Sequence, residues 1–178
     1  MKPEDLTPSA KKAYKRHLQL SDKLFKRGQE AGKIDPNAVL YVDITDKPRD
    51  TWSSSTDKGY LVNMGLEWVK DKEQDWTSRH EIGHILEGHC EPHAHVGTET
   101  LEDMGDFETS VKNEISATIR GYGGPSKIPL MTAPIIKRYV EEWLPSSESW
   151  SYTKKMLREQ GVPFKLLHKM EEKYGLKD

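Results

Sequence analysis

The chain has 178 residues, of which 34% are hydrophobic and 31% are charged, and its formal net charge at pH 7 is −2. This length suits one domain with one core, and the balanced charge gives no basic field for nucleic acid and no patch for a membrane surface. Cys90 is the only cysteine, so an intrachain disulfide is excluded, and the lack of a long apolar run leads us to expect a cytoplasmic protein without a signal peptide or transmembrane segment.

The N-terminal part of the chain predicts one helix followed by two strands. Thr7 as N-cap and Pro8 as the first helical residue open the helix. Residues 38–45 and 59–64 are rich in β-branched and aromatic side chains and predict strands, and the polar stretch 46–58 between them predicts a loop. The buried side of the helix is expected to carry Ala10, Tyr14, Leu18 and Phe25.

Residues 80–84 read His-Glu-Ile-Gly-His, and the apolar residues that flank them predict a short buried helix. Two histidines four positions apart project from one face of an α-helix, so His80 and His84 can reach a single zinc ion. Glu81 lies roughly 100° around the helix, where it can take a proton from water and return it to a leaving amine. This pattern is typical of a zinc hydrolase, and the alternative is an amphipathic helix with two surface histidines.

A catalytic zinc usually has three protein ligands and a water molecule, so the pair of histidines requires a third ligand. A helix is predicted over 106–120, where apolar residues recur every four positions and Asp106 can serve as N-cap. Glu114 lies at the edge of this apolar stripe. Because a half-buried carboxylate needs a partner, Glu114 is the expected third ligand.

Other residues compete with Glu114 for this role, and Glu114 itself has a simpler interpretation. It can line the rim of a surface and pair with Arg120 or Lys112. His89 follows His84 by five positions, which rotates it off the ligand face of a continuous helix, so we expect it to cap the helix end or to face solvent. The alternative third ligands are His93, His95, Glu108 and Asp106.

Two segments carry a resemblance to a known family. Residues 76–84, Trp-Thr-Ser-Arg-His-Glu-Ile-Gly-His, resemble the entry to the active helix of the ImmA/IrrE-type metallopeptidases. Residues 113–116, Asn-Glu-Ile-Ser, resemble the later helix that gives the gluzincins their glutamate ligand. The resemblance implies an α+β, zincin-like domain with a small antiparallel sheet and one Zn²⁺ per chain. It implies His80, His84 and Glu114 as zinc ligands and Glu81 as the general base.

The resemblance also raises expectations about the residues around the metal. Thr118 stands where thermolysin-like enzymes hold an aspartate that orients a ligand histidine, so Glu87 or Asp103 is expected to supply that acceptor. In zincins an exposed strand before the active helix pairs with the extended substrate. Strand addition by Tyr60, Leu61 and Val62 is therefore expected, and a plain hairpin without a binding role is the alternative.

The rest of the chain predicts a long connection and a helical C-terminal half. Residues 91–105 join the two metal-site helices, and their acidic, Gly- and Pro-containing composition leads us to expect an access loop at the cleft. We expect a single domain over 1–178, divided into a sheet and metal-site core, 1–122, and a helical subdomain, 123–178. Three further helices are predicted, over 132–144, 149–160 and 163–174.

The sequence thus predicts a zinc-dependent endopeptidase that acts on a protein or peptide substrate, with Glu81 as general base. ImmA/IrrE-like proteins are often linked to the cleavage of transcriptional repressors, which favours a protein substrate. We expect the protein to bind neither nucleic acid nor a membrane directly, and the oligomeric state is left open. The alternative is a non-catalytic, zinc-stapled structural or regulatory binding protein of a phage or mobile element.

Overall fold

The structure is a computed structural model, and it describes residues 2–47, 51–67, 74–90 and 104–178. The chain divides into two compact units, Met1–Val96 and Gly97–Asp178. The described ranges form an α+β fold with six α-helices and one three-stranded sheet. The elements are a short 3-10 helix (Pro3–Asp5), α1 (Pro8–Glu30), β1 (Val39–Thr45), β2 (Trp52–Thr56), β3 (Gly59–Gly65), α2 (Gln74–Leu86), α3 (Met104–Tyr122), α4 (Thr132–Glu141), α5 (Ser146–Glu159) and α6 (Phe164–Tyr174).

The first unit begins with α1, whose start agrees with the predicted cap. The hydroxyl oxygen of Thr7 accepts a hydrogen bond from the backbone N–H of Ala10 at 3.3 Å, and Pro8 is the first helical residue. This cap satisfies one of the N–H groups that every helix start leaves without a partner. The predicted helix and its N-terminal boundary are therefore confirmed.

The sheet of the first unit is mixed, and the predicted antiparallel sheet is wrong. Its strand order is β1-β3-β2, with β1 parallel and β2 antiparallel to β3. Only residues 57 and 58 join β2 to β3, and so short a turn can connect only antiparallel neighbours. The chain therefore passes from β1 to the far edge of the sheet before β3 returns to the centre. The predicted loop over 46–58 contains β2, whose Ser and Thr side chains gave it a loop-like composition.

Helix α2 belongs to the first unit, where it packs against α1, β2 and β3. A core of apolar side chains holds these elements together, and a smaller cluster lies beside it. The main core contains Leu24, Phe25, Ile34, Val62, Ile82, Ile85 and Cys90, and the smaller cluster contains Leu6, Ala10, Ile44 and Met64. The position of α2 is thus fixed by burial on several sides.

The second unit is helical in its described residues, and α3 to α6 surround one core. The apolar stripe of α3 packs against α4 and α5, so α3 belongs to this unit. The boundary between the two units therefore follows residue 96, whereas the predicted boundary followed residue 122. The core contains Val111, Ile115, Ile136, Val140, Trp150, Met156, Leu157, Leu167 and Met170, among others.

The predicted access loop and the three predicted C-terminal helices differ in how much of them the structure describes. Most of the predicted access loop, residues 91–103, lies outside the described residues. The three C-terminal helices form at the predicted places, and each of their bounds lies within three residues of the prediction. Across the described ranges, no helix combines the length and the apolar character needed to cross a bilayer.

Candidate metal centre

Helix α2 is buried on most of its surface, and this burial includes polar side chains. His80 and Glu81 are 5% and 6% exposed, and His84 is half-buried. The alternative of an amphipathic helix with two surface histidines is therefore wrong. Burial of an imidazole and a carboxyl group costs free energy unless partners satisfy them, so these side chains are placed for interactions rather than for solvation.

The imidazoles of His80 and His84 face each other through their Nε2 atoms, which lie 3.1 Å apart. The two ring planes are inclined by 83°. Two bare Nε2 lone pairs repel each other at this distance unless a proton or a cation lies between them. Nitrogens that share one tetrahedral zinc at about 2.0–2.1 Å are about 3.3–3.4 Å apart, so the observed separation fits a shared metal ion.

Glu114 completes this pair. His80, His84 and Glu114 each offer one ligand atom, and these atoms all lie within 4.8 Å of one another. Two imidazole nitrogens and one carboxylate oxygen are a donor set that zinc accepts, and one that other divalent transition metals also accept. The residues present therefore fit a bound metal ion.

Trp76 supports the first histidine of the pair from within the same helix. Its ring is stacked on the imidazole of His80, with centroids 4.5 Å apart and planes inclined by 12°. The indole is itself buried, at 6% exposure. The stack restricts rotation of the His80 ring, whose Nε2 faces His84.

His89 was expected either to cap the end of the helix or to face solvent, and its backbone N–H does cap the helix by donating to the carbonyl of His84. Its Nδ1 lies 3.0 Å from the Nδ1 of His84, and the residue is half-buried, so the alternative position facing solvent is wrong. A rotation off the ligand face is expected only of a continuous helix, but α2 ends at Leu86 and Gly88 takes φ +76°. The signal in the sequence was Gly88, since a glycine at this place marks the left-handed end of a helix.

A buried histidine on α1 packs against α2, and no sequence pattern predicted it. His17 is fully buried, and its Nδ1 is hydrogen-bonded to the hydroxyl of Ser78 on α2. Burial lowers the pKa of His17 to about 4, so its imidazole is neutral near pH 7. Within the described residues its Nε2 has no hydrogen-bond partner. No spacing in the sequence links residues 17 and 78, because the contact depends on how α1 packs on α2.

Glu108, one of the competing ligands on α3, is not part of the metal cluster. Glu108 lies 2.7 Å from Lys112 in an exposed ion pair, and this contact lowers the pKa of Glu108. It is therefore a surface carboxylate rather than part of the cluster.

Thr118 stands where an aspartate was expected to orient a ligand histidine. Its hydroxyl donates a hydrogen bond to the backbone carbonyl of Glu114 at 3.1 Å. The expected orienting acceptor must therefore be another residue.

The remaining candidates for the metal site are only partly described. Glu87 follows the last residue of α2, is half-buried and donates its backbone N–H to the carbonyl of Gly83. Its expected role as an orienting acceptor stays a prediction. His93, His95 and Asp103 lie outside the described residues, as does the side chain of Asp106.

The expected mode of substrate binding by β3 is wrong. β3 is the central strand, and its residues are paired with β1 on one side and with β2 on the other. Strand addition needs a free edge, and Tyr60, Leu61 and Val62 offer none. Val62 is moreover fully buried in the core. The described edges of the sheet are β1 and β2.

Comparison with known proteins adds no relative. No family model, curated protein or solved structure matches this chain. The resemblance to the ImmA/IrrE-type metallopeptidases therefore depends on the motif residues alone. What the geometry contributes is the cluster of His80, His84 and Glu114.

Proposed function

We propose that the protein is a zinc-dependent endopeptidase that hydrolyses peptide bonds in a protein substrate. The observation that supports this most directly is the cluster of His80, His84 and Glu114, whose ligand atoms lie within 4.8 Å of one another. The second support is Glu81, which is buried and adjacent in sequence to the first histidine of the cluster. Together these four residues match the ligand set and the base that peptide hydrolysis at a metal requires.

Each residue has a distinct chemical part in the proposed reaction. His80 and His84 would hold the metal through Nε2, and Glu114 would hold it through a carboxylate oxygen. Zinc, when bound, supplies the Lewis acidity that activates water and polarises the peptide carbonyl. Two neutral imidazoles and one carboxylate would offset only one of the two positive charges of a bound zinc ion, and the remaining positive charge would favour that chemistry.

Glu81 would carry the proton. Its carboxylate accepts a proton from the attacking water and then donates it to the amine that leaves as the C–N bond breaks. The burial of Glu81 limits the access of bulk water to this transfer. Catalysis of this kind contributes about 10²–10⁴-fold to a rate.

Substitution of the base separates an enzyme from a zinc-stapled binding protein. Glu81→Gln keeps the shape of the side chain and all three metal ligands but cannot accept a proton. We expect one zinc per chain and an unchanged fold, with cleavage of labelled casein or of a mixed peptide library reduced about 10²–10⁴-fold. Glu108→Gln, on the exposed surface of α3, is the matched control and should retain wild-type activity.

Two results would overturn the proposal. Cleavage that persists in Glu81→Gln would show that another group acts as the base. A wild-type protein that binds zinc but cuts none of the substrates, while zinc removal lowers its thermal midpoint by many degrees, would favour the staple over the enzyme.

A further inference from the structure

We propose that His89 is a positioning residue for the metal ligand His84, and that its imidazole accepts the Nδ1–H of His84. This role rests on the metal site proposed above, and it assigns to His89 the part expected of a carboxylate. The two Nδ1 atoms lie 3.0 Å apart, within the range of a hydrogen bond. The centroids of the two rings are 5.2 Å apart.

The direction of this hydrogen bond follows from which nitrogen of His84 faces the metal site. His84 Nε2 lies 3.1 Å from His80 Nε2, so Nε2 is the ligand atom. A neutral imidazole carries one proton, and the ligand nitrogen must be bare. The proton of His84 is therefore on Nδ1, which makes His84 the donor and Nδ1 of His89 the acceptor. His89 then carries its own proton on Nε2.

The end of α2 explains why His89 lies at the right place. The backbone N–H of His89 donates to the carbonyl of His84 at 3.0 Å, and that of Gly88 donates to Ile85 at 3.1 Å. With Gly88 at φ +76°, these two bonds form a Schellman motif. This motif brings the second residue beyond the C-cap back over the last turn, where a side-chain contact often forms. Here the two residues in contact are His89 and His84.

The residue after His89 fixes the chain in this position. Cys90 is buried at 2% exposure, and its Sγ donates a hydrogen bond to the hydroxyl of Ser53 on β2 at 3.3 Å. His89 is thus held between the end of α2 on one side and an anchored residue on the other. A side chain placed in this way loses little conformational entropy when it binds His84, which is what a positioning residue requires.

Metal-ligating histidines usually donate their second N–H to an acceptor that fixes the tautomer and the orientation of the ring. Loss of such an acceptor typically lowers metal affinity about 10–100-fold. A neutral imidazole fixes the tautomer of His84 without adding a negative charge to the ligand. A carboxylate at the same place would make His84 a stronger ligand.

Three substitutions of His89 test this role in the full-length protein. His89→Phe keeps a ring but has no acceptor, and we expect its zinc affinity, measured by competition with a chelator, to fall about 10–100-fold. His89→Asn places an amide oxygen close to the position of Nδ1 and should keep an affinity near that of the wild type. His89→Asp should bind zinc at least as tightly as the wild type. Thermal unfolding of the metal-free proteins shows whether packing has changed.

A second readout tests the assigned protons directly. In the zinc-loaded wild type, ¹⁵N–¹H correlation spectra of the histidine rings should show a protonated Nδ1 on His84 and a protonated Nε2 on His89. A proton on Nδ1 of His89 would overturn the assignment. Equal losses of affinity in His89→Phe and His89→Asn, or no loss in either, would also overturn it.

Zinc affinity measured for His80→Ala distinguishes this inference from the proposed function. If His80→Ala leaves zinc affinity unchanged, the metal site is wrong and the role of His89 is wrong with it. If His80→Ala abolishes zinc binding but the wild type cuts no substrate, only the endopeptidase is wrong. The affinities of the His89 variants then still decide whether His89 positions His84.

Discussion

Trp76 and His80 are stacked one turn apart on α2, with ring centroids separated by 4.5 Å and ring planes inclined by 12°. Residues four apart lie on the same face of a helix, so the stack is a product of the helix itself. The same four-residue step relates His80 to His84, whose Nε2 atoms lie 3.1 Å apart. Trp76, His80 and His84 therefore form one continuous row in which each ring limits the rotation of the next.

Removal of the flat surface beneath His80 should weaken metal binding. We expect Trp76→Leu to lower zinc affinity roughly 2–10-fold, because aromatic pairs of this kind contribute about 0.5–1.5 kcal/mol beyond their burial. Trp76→Phe retains an aromatic face and should bind zinc nearly as well as the wild type. Chelator competition measures both values. Equal affinities in the Leu and Phe variants would show that the stack does not orient His80.

The third ligand can be tested with two glutamates on the same helix. Glu114→Ala should lower zinc affinity at least about tenfold, because loss of a ligand costs more than loss of an orienting partner. Glu108→Ala should leave zinc content unchanged, since this carboxylate forms an exposed ion pair with Lys112. Elemental analysis after dialysis against a weak chelator gives zinc per chain. If Glu114→Ala keeps one zinc per chain while His93→Ala or His95→Ala loses it, the third ligand is a histidine in the sequence segment that joins α2 to α3.

The parts of the site that the sequence predicted are those that local geometry determines. The step from His80 to His84 needs only a helix, and the apolar residues around the pair predicted that helix. Glu114 was found in the same way, from its place beside an apolar stripe at helical spacing. The helix start at Thr7 was set by a cap whose partners are three residues apart.

The parts that the sequence did not predict depend on packing between elements. In α1, Leu18 was expected on the buried side and is 39% exposed, while His17 beside it is fully buried. A rotation of the helix by one residue decides between them, and the observed rotation places His17 in contact with Ser78 on α2. Hydrophobic periodicity predicts burial from the polarity of each side chain alone, so it cannot predict that a histidine is buried against a hydrogen-bond partner on another helix.

The strand arrangement was missed for a related reason. Register and direction in a sheet are set by which strands meet, and residues far apart in sequence make that choice. β1 and β3 were predicted as strands, but their parallel pairing, with Val39 opposite Gly59 and Thr45 opposite Gly65, depends on β2. Since β2 was read as a loop, a simple antiparallel hairpin was the remaining solution.

Gly59 provides a test of this parallel pairing. It takes φ +154°, and a Cβ at this residue would lie 2.1 Å from the carbonyl oxygen of Val39. Gly59→Ala should therefore lower the free energy of unfolding by at least about 3 kcal/mol, through backbone strain and a clash with β1. Gly32→Ala is the matched control, because Gly32 takes φ +69° with no atom within 4 Å of a Cβ, and it should cost about 1–2 kcal/mol. Urea unfolding measures both, and equal losses would contradict the pairing.

The buried imidazole of His17 predicts how stability depends on pH. Its pKa is lowered from 6.5 to about 4 by burial, so the folded protein keeps it neutral where the unfolded chain protonates it. As the pH falls from 6.5 to 4, the unfolded state takes up a proton that the folded state excludes, and the free energy of unfolding decreases. Well above pH 6.5 the imidazole is neutral in both states and the effect vanishes. Between pH 7 and pH 5 the loss from His17 alone should be about 2 kcal/mol.

His17→Gln removes this titration, so the difference in unfolding free energy between pH 7 and pH 5 should shrink by about 2 kcal/mol relative to the wild type. Urea titrations of the metal-free proteins at the two pH values give that difference, and comparison with the wild type cancels the contribution of the other histidines. The same pH dependence in His17→Gln and in the wild type would show that the folded protein protonates His17 as readily as the unfolded chain does, which would contradict the lowered pKa.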